Sequence, residues 1–323
     1  NVFRSLKDPE KTREAHLAAL EILNSGSSTA SETLEVRFEL ARTQFLLAHR
    51  VVDVPPSRGG RGGPPGRGGP GRGRRGPPAR DGDFGLGPPD HPLGPPERHG
   101  SFGGPPDSPE RRVQDDYLRQ AISLLEQLQN EHPTVPDIRQ LLAHCYSEMS
   151  QSGPRGAQSG NAESRNKDIE ILDLLVRDFP EAPDYQFDLS RAHAAGVNPR
   201  EGSPDAEQSL REAADLSEQL LSKYPNVPAY QDFLADVYFR LGRILQNSGR
   251  YEDADDTYDR TLKLKQSLAN EFPEVSSHRA WLAKFRESYS DLLRKQNKLD
   301  QARSLLESSV SDLQELREDD PAK

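Results

Sequence analysis

One stretch of this sequence, residues 223–230, reads Lys-Tyr-Pro-Asn-Val-Pro-Ala-Tyr and decides the fold, because its pattern recurs along the chain. Four prolines that each follow a ring-bearing residue stand at spacings of 47, 45 and 48 residues. The four prolines are Pro133, Pro180, Pro225 and Pro273. A second proline follows three residues after each of the first three, and Ser276 takes its place in the fourth. An internal period of this length is typical of helical repeat proteins.

Apolar and small residues stand at fixed offsets from each of these prolines. Aliphatic residues lie nine and five residues before it, on what would be one face of a helix. They are Leu124 and Leu128, Ile171 and Leu175, Leu216 and Leu220, and Leu264 and Leu268. A leucine and then a small residue follow nine and ten residues after it: Leu142-Ala143, Leu189-Ser190, Leu234-Ala235 and Leu282-Ala283. Because the residue before a proline avoids the helical conformation, while proline itself suits a first helical turn, the pattern predicts helix, sharp turn, helix.

The composition describes two different regions. The chain has 323 residues, of which 33% are hydrophobic and 29% charged, and its mean hydropathy is −0.84, close to that of disordered chains. Residues 55–109, however, hold 17 of the 25 glycines and 15 of the 27 prolines. The remaining sequence is poor in both and compatible with helices. We therefore expect a helical body with one long, disordered Gly/Pro/Arg-rich insertion.

Charge is divided in the same way. Residues 55–80 contain seven arginines and no acidic residue, whereas the rest of the chain has a net charge of −17. The arginines are Arg58, Arg61, Arg67, Arg72, Arg74, Arg75 and Arg80. A uniformly basic nucleic-acid-binding protein is excluded. The tract itself could bind nucleic acid, although it has no aromatic residue for base stacking, could contact an acidic surface or anionic lipid, or could be a low-complexity loop without a ligand.

The residues that follow Ala235 resemble the tetratricopeptide repeat (TPR). Those that carry the resemblance are Tyr238, Leu241, Gly242, Leu245, Gly249, Tyr251, Ala254, Tyr258, Thr261 and Leu262. The sequence after Ala283 is similar but has Ser290 in place of the glycine and Asn297 at the turn. The long period resembles helical-repeat regions of planctomycete bacterial proteins, which often accompany serine/threonine kinase domains or membrane-anchored regulatory segments. The resemblance implies an all-α, right-handed TPR-like solenoid.

This template predicts five repeats, each with a helix A and a helix B, after a leading helix over residues 9–24. Helix A is expected at 32–50, 137–150, 184–195, 229–247 and 277–295. Helix B is expected at 109–131, 163–178, 205–223, 251–271 and 299–317. The chain then divides into the leading helix with helix A of repeat 1 (1–50), the insertion (51–108), helix B of repeat 1 with repeats 2–5 (109–317), and a tail (318–323). All insertions are expected at the edge where helix A meets helix B.

The resemblance also implies a partner-binding groove lined by the A helices. Carried over by position, its residues are Arg42, Phe45 and His49 in repeat 1, His144 and Ser147 in repeat 2, Arg191 and Ala194 in repeat 3, Asp236, Phe239, Arg243 and Asn247 in repeat 4, and Lys284, Glu287, Asp291 and Lys295 in repeat 5. No repeat has the lysine–asparagine pair with which chaperone-binding TPRs hold a terminal carboxylate. Mixed charges with two phenylalanines instead favour an extended peptide or a partner helix.

No pattern of residues indicates catalysis, a metal or a cofactor. The eight histidines have no paired helical spacing, and the single cysteine, Cys145, is expected to be an inert core thiol. The acidic residues Glu252, Asp253, Asp255 and Asp256 suit a helix N-terminus. Segments that spell a dinucleotide motif (Gly66–Gly71) and a kinase triplet (Asp83–Gly85) lack the flanking elements such motifs require.

The sequence therefore predicts a non-catalytic protein-interaction scaffold within a larger, bacterial regulatory protein. The alternatives are a protein that binds nucleic acid or an anionic surface through its arginines, the targeting arm of a kinase, or a structural protein whose solenoids stack on one another. No run of apolar residues is long enough to span a membrane. The compartment stays open between the cytoplasm and the soluble part of a membrane-anchored protein.

Overall fold

The computed structural model describes residues 17–18, 33–50, 109–152, 158–199 and 203–319, and the described part contains helices and tight turns but no strand. Within it lie ten helices of at least twelve residues. They are α1 (Leu34–Arg50), α2 (Pro109–Glu131), α3 (Pro136–Ser152), α4 (Gln158–Asp178), α5 (Pro183–Ala194), α6 (Pro204–Lys223), α7 (Pro228–Asn247), α8 (Tyr251–Glu271), α9 (Ser276–Lys295) and α10 (Leu299–Asp319).

Each helix packs against its neighbours in chain order, which makes a right-handed solenoid of five helix pairs. The odd-numbered helices α1 to α9 are the predicted A helices, and the even-numbered helices α2 to α10 are the B helices. The predicted fold class is confirmed. The largest difference in helix bounds is at α4, which begins five residues before the predicted residue 163. Of the predicted leading helix only the helical residues 17–18 are described, and the Gly/Pro/Arg-rich insertion lies outside the described residues.

Four nearly identical turns at the prolines join each B helix to the next A helix. The residue before each proline donates its backbone N–H to the leucine carbonyl four residues earlier, at 2.8–2.9 Å. Its own carbonyl then accepts from the N–H three residues later, at 3.0–3.3 Å. The next helix starts at Pro136, Pro183, Pro228 or Ser276, one residue before the predicted starts at 137, 184, 229 and 277. The proline turn therefore ends one helix and begins the next within four residues.

At Pro180, Pro225 and Pro273, the ring before the proline also packs against the start of the following A helix. The ring centroids of Phe179 and Tyr185 are 5.9 Å apart. Those of Tyr224 and Tyr230 are 6.4 Å apart, and Phe272 is at the same distance from His278. This contact holds the A helix against the end of the preceding B helix, and in repeat 5 it makes His278 a packing residue.

The small residue of each repeat allows helix A and helix B to approach closely. Ala143, Ser190, Ala235 and Ala283 are fully buried. Their leucine neighbours are at most 4% exposed, and so are the four leucines that precede the proline turns by five residues. Hydroxyl groups on the B helices bind the A-helix backbone at this contact, as when Ser309 donates to the carbonyl of Ala283 at 2.9 Å. The offsets read from the sequence are therefore the core of the solenoid.

The turns from helix A to helix B in repeats 4 and 5 share one backbone conformation. Gly249 has a φ of +76° and Asn297 a φ of +61°, both in the left-handed region. The N–H of Arg250 reaches the carbonyl of Leu245, and that of Lys298 reaches the carbonyl of Leu293, each at 2.9 Å. Asparagine is the residue that best replaces glycine in this conformation, which explains how repeat 5 keeps the turn without it.

Two apolar clusters make up the core, and they meet at α5. The first joins α1 to α5 and includes Leu189 and Ala192. The second runs from α5 to α10 and includes Ala194 and Val197. One short helix of twelve residues thus belongs to both clusters. Any polar group buried beside α5 lies where the two halves of the solenoid are joined.

Gly242 provides a test of the close packing between α7 and α8. A Cβ at this position would lie 2.4 Å from two ring carbons of Tyr258 and 2.7 Å from the hydroxyl of Thr257. Tyr258 is 1% exposed, so its ring has no room to move. We expect Gly242→Ala to lower the free energy of unfolding by roughly 1–3 kcal/mol in urea titrations, despite the higher helix propensity of alanine. Gly249→Ala, which meets nothing within 4 Å, should cost about 1 kcal/mol through its left-handed φ alone. Equal or greater stability of Gly242→Ala would contradict the packing.

Candidate binding surface on the A helices

The predicted groove residues lie on the five A helices, from α1 to α9. Phe45 is buried, and the side chain of His49 lies outside the described residues. Half-buried positions are Arg42, His144, Ser147, Arg191, Asp236, Phe239 and Arg243. Exposed positions are Asn247, Lys284, Glu287, Asp291 and Lys295, whereas Ala194 is buried. Exposure thus increases toward the C-terminal end of the surface.

The repeat 4–5 half of this surface is built on an aromatic cluster. The ring centroids of Phe239 and Trp281 are 5.8 Å apart, and Phe285 stacks on Trp281 at 5.2 Å. The guanidinium of Arg243 lies 5.8 Å from the Phe239 centroid. The ammonium of Lys265, only 4% exposed and 2.5 Å from a carboxylate oxygen of Asp232, lies 4.3 Å from the Trp281 centroid. Aromatic faces and cations held in this way can take up apolar and acidic side chains.

The repeat 2–3 half is built on a buried polar cluster contributed by α3, α4 and α5. We name it the polar junction and define it as Gln140, His144, Ser147, Asp168, Asp188 and Arg191. One carboxylate oxygen of Asp188 lies 3.0 Å from Nε2 of His144 and accepts from Gln140 at 3.2 Å. Its other oxygen is 3.7 Å from the guanidinium of Arg191. From α1, the Phe45 ring stacks on His144 at 6.4 Å.

Asp168 is the most deeply buried member of the polar junction. It is 1% exposed, and its Oδ1 atom has no hydrogen-bond partner among the described residues. Burial raises the pKa of Asp168 to about 7, assisted by Asp188 and opposed by the charge of His144 and a hydrogen bond with Ser147. An unpaired carboxylate in such a place is costly for the folded state.

His144 and Asp188 form an ion pair near the surface of the junction. Burial acts to lower the pKa of His144, but the charge and the hydrogen bond of Asp188 outweigh it and raise the pKa. Burial likewise acts to raise the pKa of Asp188, yet His144 and Arg191 hold it below its usual value. As pH falls, the junction therefore gains a proton at Asp168 near pH 7, and His144 holds its proton more strongly than a free imidazole would, while Asp188 stays ionised.

The sequence analysis missed both carboxylates, although the repeat alignment contains a signal for them. Asp188 stands eight residues after its proline, where the other repeats have Leu141, Phe233 and Trp281. Asp168 stands twelve residues before the same proline, where the others have Ala121, Ala213 and Thr261. Each is a polar substitution at a position that is otherwise apolar or small. Comparing the repeats at core offsets as well as groove offsets would have identified the junction.

Other residues singled out in the sequence have structural surroundings. Cys145 is completely buried, and burial raises the pKa of its thiol, in agreement with the expected inert core residue. Asp253 pairs with Arg250 and Asp255 with Lys298, both at 2.5 Å, at the start of α8. Throughout the described ranges, no three His, Cys, Asp or Glu side chains are grouped as metal ligands. The seven arginines of residues 55–80 lie outside those ranges.

The polar junction makes stability depend on pH near neutrality. Because the pKa of Asp168 rises from 3.8 to about 7 on folding, the unfolded chain loses this proton first and stability falls as pH increases over that interval. The stabilising ion pair of His144 is likewise lost as pH rises through its raised pKa. Asp168→Ala introduces the alanine that repeats 1 and 3 have at this position. It should raise the free energy of unfolding at pH 8 by on the order of 2–4 kcal/mol. It should also make that free energy less dependent on pH.

The measurement is urea unfolding at a series of pH values between about 4 and 8, because Asp168 changes the stability between its unfolded pKa of 3.8 and its folded pKa of about 7. Asp173→Ala is the matched control, because Asp173 lies on the same helix but is exposed. It should leave both the stability and its pH dependence close to those of the unaltered protein. An Asp168→Ala variant that unfolds with an unchanged pH slope would show that Asp168 does not titrate as described.

Comparisons with known proteins address the fold and one repeat. A family model described as a tetratricopeptide repeat matches residues 235–268. BtubC (BKLC) from P. vanneervenii has a TM-score of 0.54 at 13% identity, over 97% of this chain and 93% of that one. A structure of MamA gives 0.37 at 14% identity, over 64% and 94%. No curated protein matches the sequence significantly.

The matched segment begins at Ala235 and ends at Leu268, so it contains the residues that carried the resemblance in the sequence. The similarity to BtubC extends over nearly the whole chain and concerns the arrangement of helices. Together with the five stacked helix pairs, these findings show a TPR-like α-solenoid. Residues 235–268 of this chain match the tetratricopeptide repeat.

Proposed function

We propose that the protein is a non-catalytic scaffold that binds a peptide or a partner helix along its A-helix surface. The observation that carries the proposal is the aromatic cluster of Phe239 and Trp281 with Arg243 above it. Both rings are only partly buried although they belong to the packed core. Partly exposed aromatic side chains with an adjacent arginine are typical of positions that contribute most to protein–protein affinity.

The charge distribution supports a partner with alternating charges. Beyond the aromatic cluster, α9 exposes Lys284, Glu287, Asp291 and Lys295 at helical spacings of three, four and four residues. Their neighbours partly neutralise them, since Asp291 lies 3.2 Å from Arg294 and Lys295 lies above the Tyr251 ring. Such a row suits a partner helix whose own charges are opposite and similarly spaced, and it disfavours a strongly acidic or basic ligand.

The two halves of the surface would contribute differently. The aromatic cluster provides apolar contact area, whereas His144 and Arg191 of the polar junction provide charged hydrogen-bond donors beside Asp188. Both donors are partly accessible, with side-chain exposures of 12% and 28%. We propose that a bound segment places its apolar residues on repeats 4 and 5 and its hydrogen-bond acceptors on repeats 2 and 3.

The proposal extends to a setting within a bacterial regulatory protein, as the long repeat period suggested. Among the described helices, none combines the length and the apolar character needed to cross a bilayer. The domain division at residues 50, 108 and 317 and the role of the arginine tract are part of the same proposal.

The test combines Phe239→Ala with Arg243→Glu. Proteins captured from a lysate of the source cells by the unaltered chain should be lost or reduced at least about tenfold by this variant, because it removes an aromatic anchor and reverses a charge. Far-UV circular dichroism should show unchanged helicity.

A matched pair of substitutions on the other surface serves as control. Val113→Ala with Lys263→Glu likewise removes an exposed apolar side chain and reverses a charge, on helix B of repeats 1 and 4. It should leave capture intact. Equal loss from both double variants, or no loss from the variant at Phe239 and Arg243, would contradict binding on the A-helix surface.

A further inference from the structure

The last helix, α10, has an apolar face that no described part of the chain covers. Leu299, Leu306, Val310 and Leu313 are 59%, 39%, 54% and 47% exposed. Their spacings of seven, four and three residues place them on one side of the helix. Leu299, Leu306 and Val310 line an open depression of about 480 Å³ together with Arg294, Ala302, Arg303 and Glu307. We name this surface the α10 face.

The repeat period shows what kind of element covers the equivalent face elsewhere. Residues of α10 correspond to residues of α8 that lie 48 positions earlier, and both Thr261 and Ser309 donate to the small residue of their A helix. Leu306 therefore corresponds to Tyr258, which is 1% exposed because it packs against Phe285 and Tyr289 of α9. Leu313 corresponds to Lys265, which is 4% exposed. The α10 face is thus shaped to receive an antiparallel helix.

At one position of the α10 face, the charge is reversed with respect to α6 and α8. Helix α7 covers the equivalent face of α6, and α9 covers that of α8. Glu207 of α6 pairs with Arg250, which follows α7. Asp255 of α8 pairs with Lys298, which follows α9. The corresponding residue of α10 is Arg303. A covering helix of the same type, with a base at its C-terminal end, would meet a like charge here. Arg303 itself pairs with Glu307 at 2.8 Å, so a neutral group suffices at this place.

We propose that the α10 face binds the α10 face of a second molecule, in an antiparallel two-fold pair. The two-fold axis passes between Leu306 and Val310. Leu306 of each molecule then contacts Val310 of the other. Arg303 then lies beside the polar Gln314 of the second molecule. At the equivalent place on α6 and α8, the neighbouring group is a base. At each end of the pair, Asp300 of one molecule lies near Arg317 of the other, so the two-fold axis gives two equivalent ion pairs.

The charges and the size of the face fit such a pair. Asp300, Gln314 and Arg317 are all exposed in the single molecule and free to turn toward a second one. A single helix pair is a small interface, so we expect a weak dimer, with dissociation in the micromolar range or above. This inference is independent of the proposed binding of a partner, because α10 is a B helix and the groove belongs to the A helices.

The experiment is sedimentation equilibrium of the full chain between about 10 and 500 µM, the range in which a weak helix-pair dimer dissociates. The unaltered protein should show a reversible monomer–dimer equilibrium. Leu306→Asp and Val310→Asp should each weaken it at least about tenfold, because a charge would be buried at the axis. Val113→Asp, at an exposed apolar position on α2, is the matched control and should have no effect.

A charge swap distinguishes the antiparallel pair from any other contact of α10. Asp300→Arg and Arg317→Asp should each weaken the dimer, whereas the double variant should restore it, because every cross-pair is then reversed. Circular dichroism checks that α10 remains helical. A monomer at all concentrations, larger open-ended assemblies, a dimer insensitive to Leu306→Asp, or a folded double variant without restoration would each overturn the proposal.

Discussion

The structure depends on one constraint, the proline turn that ends each B helix and starts the next A helix within four residues. A single turn fixes two things at once: the carbonyl that closes the helix and the ring that packs on the next one. Because four such turns have nearly the same hydrogen bonds, successive helix pairs are related by nearly the same displacement. The core, the continuous A-helix surface and the open face of α10 all follow from this repetition.

A repeated architecture makes departures from the repeat informative. At the junction of repeats 2 and 3, two carboxylates take core positions that are apolar or small elsewhere. Burying Asp168 lowers stability at neutral pH, and the ion pair of His144 with Asp188 recovers only part of it. Since the two apolar clusters meet at the neighbouring helix α5, this junction is where protonation can alter how firmly the halves of the scaffold are held together.

Much of the fold was predictable from the sequence, because proline, glycine and leucine act locally. The turns, the helix starts at Pro136, Pro183 and Pro228, and the buried small residues all follow from offsets within one repeat. The substitution of Asn297 for glycine could also be interpreted, since asparagine tolerates the left-handed conformation. The polar junction could not be predicted in the same way, because its members come from three helices and interact only after stacking. The exposure of α10 depends on what does not pack against it, which no local pattern encodes.

The central claim is that a partner lies along the A helices, and site-specific photo-crosslinking tests it most directly. A photoreactive amino acid would be placed at Arg243 or Asp291 on the A helices, and at Lys263 or Asp173 on the B helices, in the cells that make the protein. The account predicts that one and the same protein is attached from both A-helix positions and from neither B-helix position. Attachment of a partner only from the B-helix positions would contradict it.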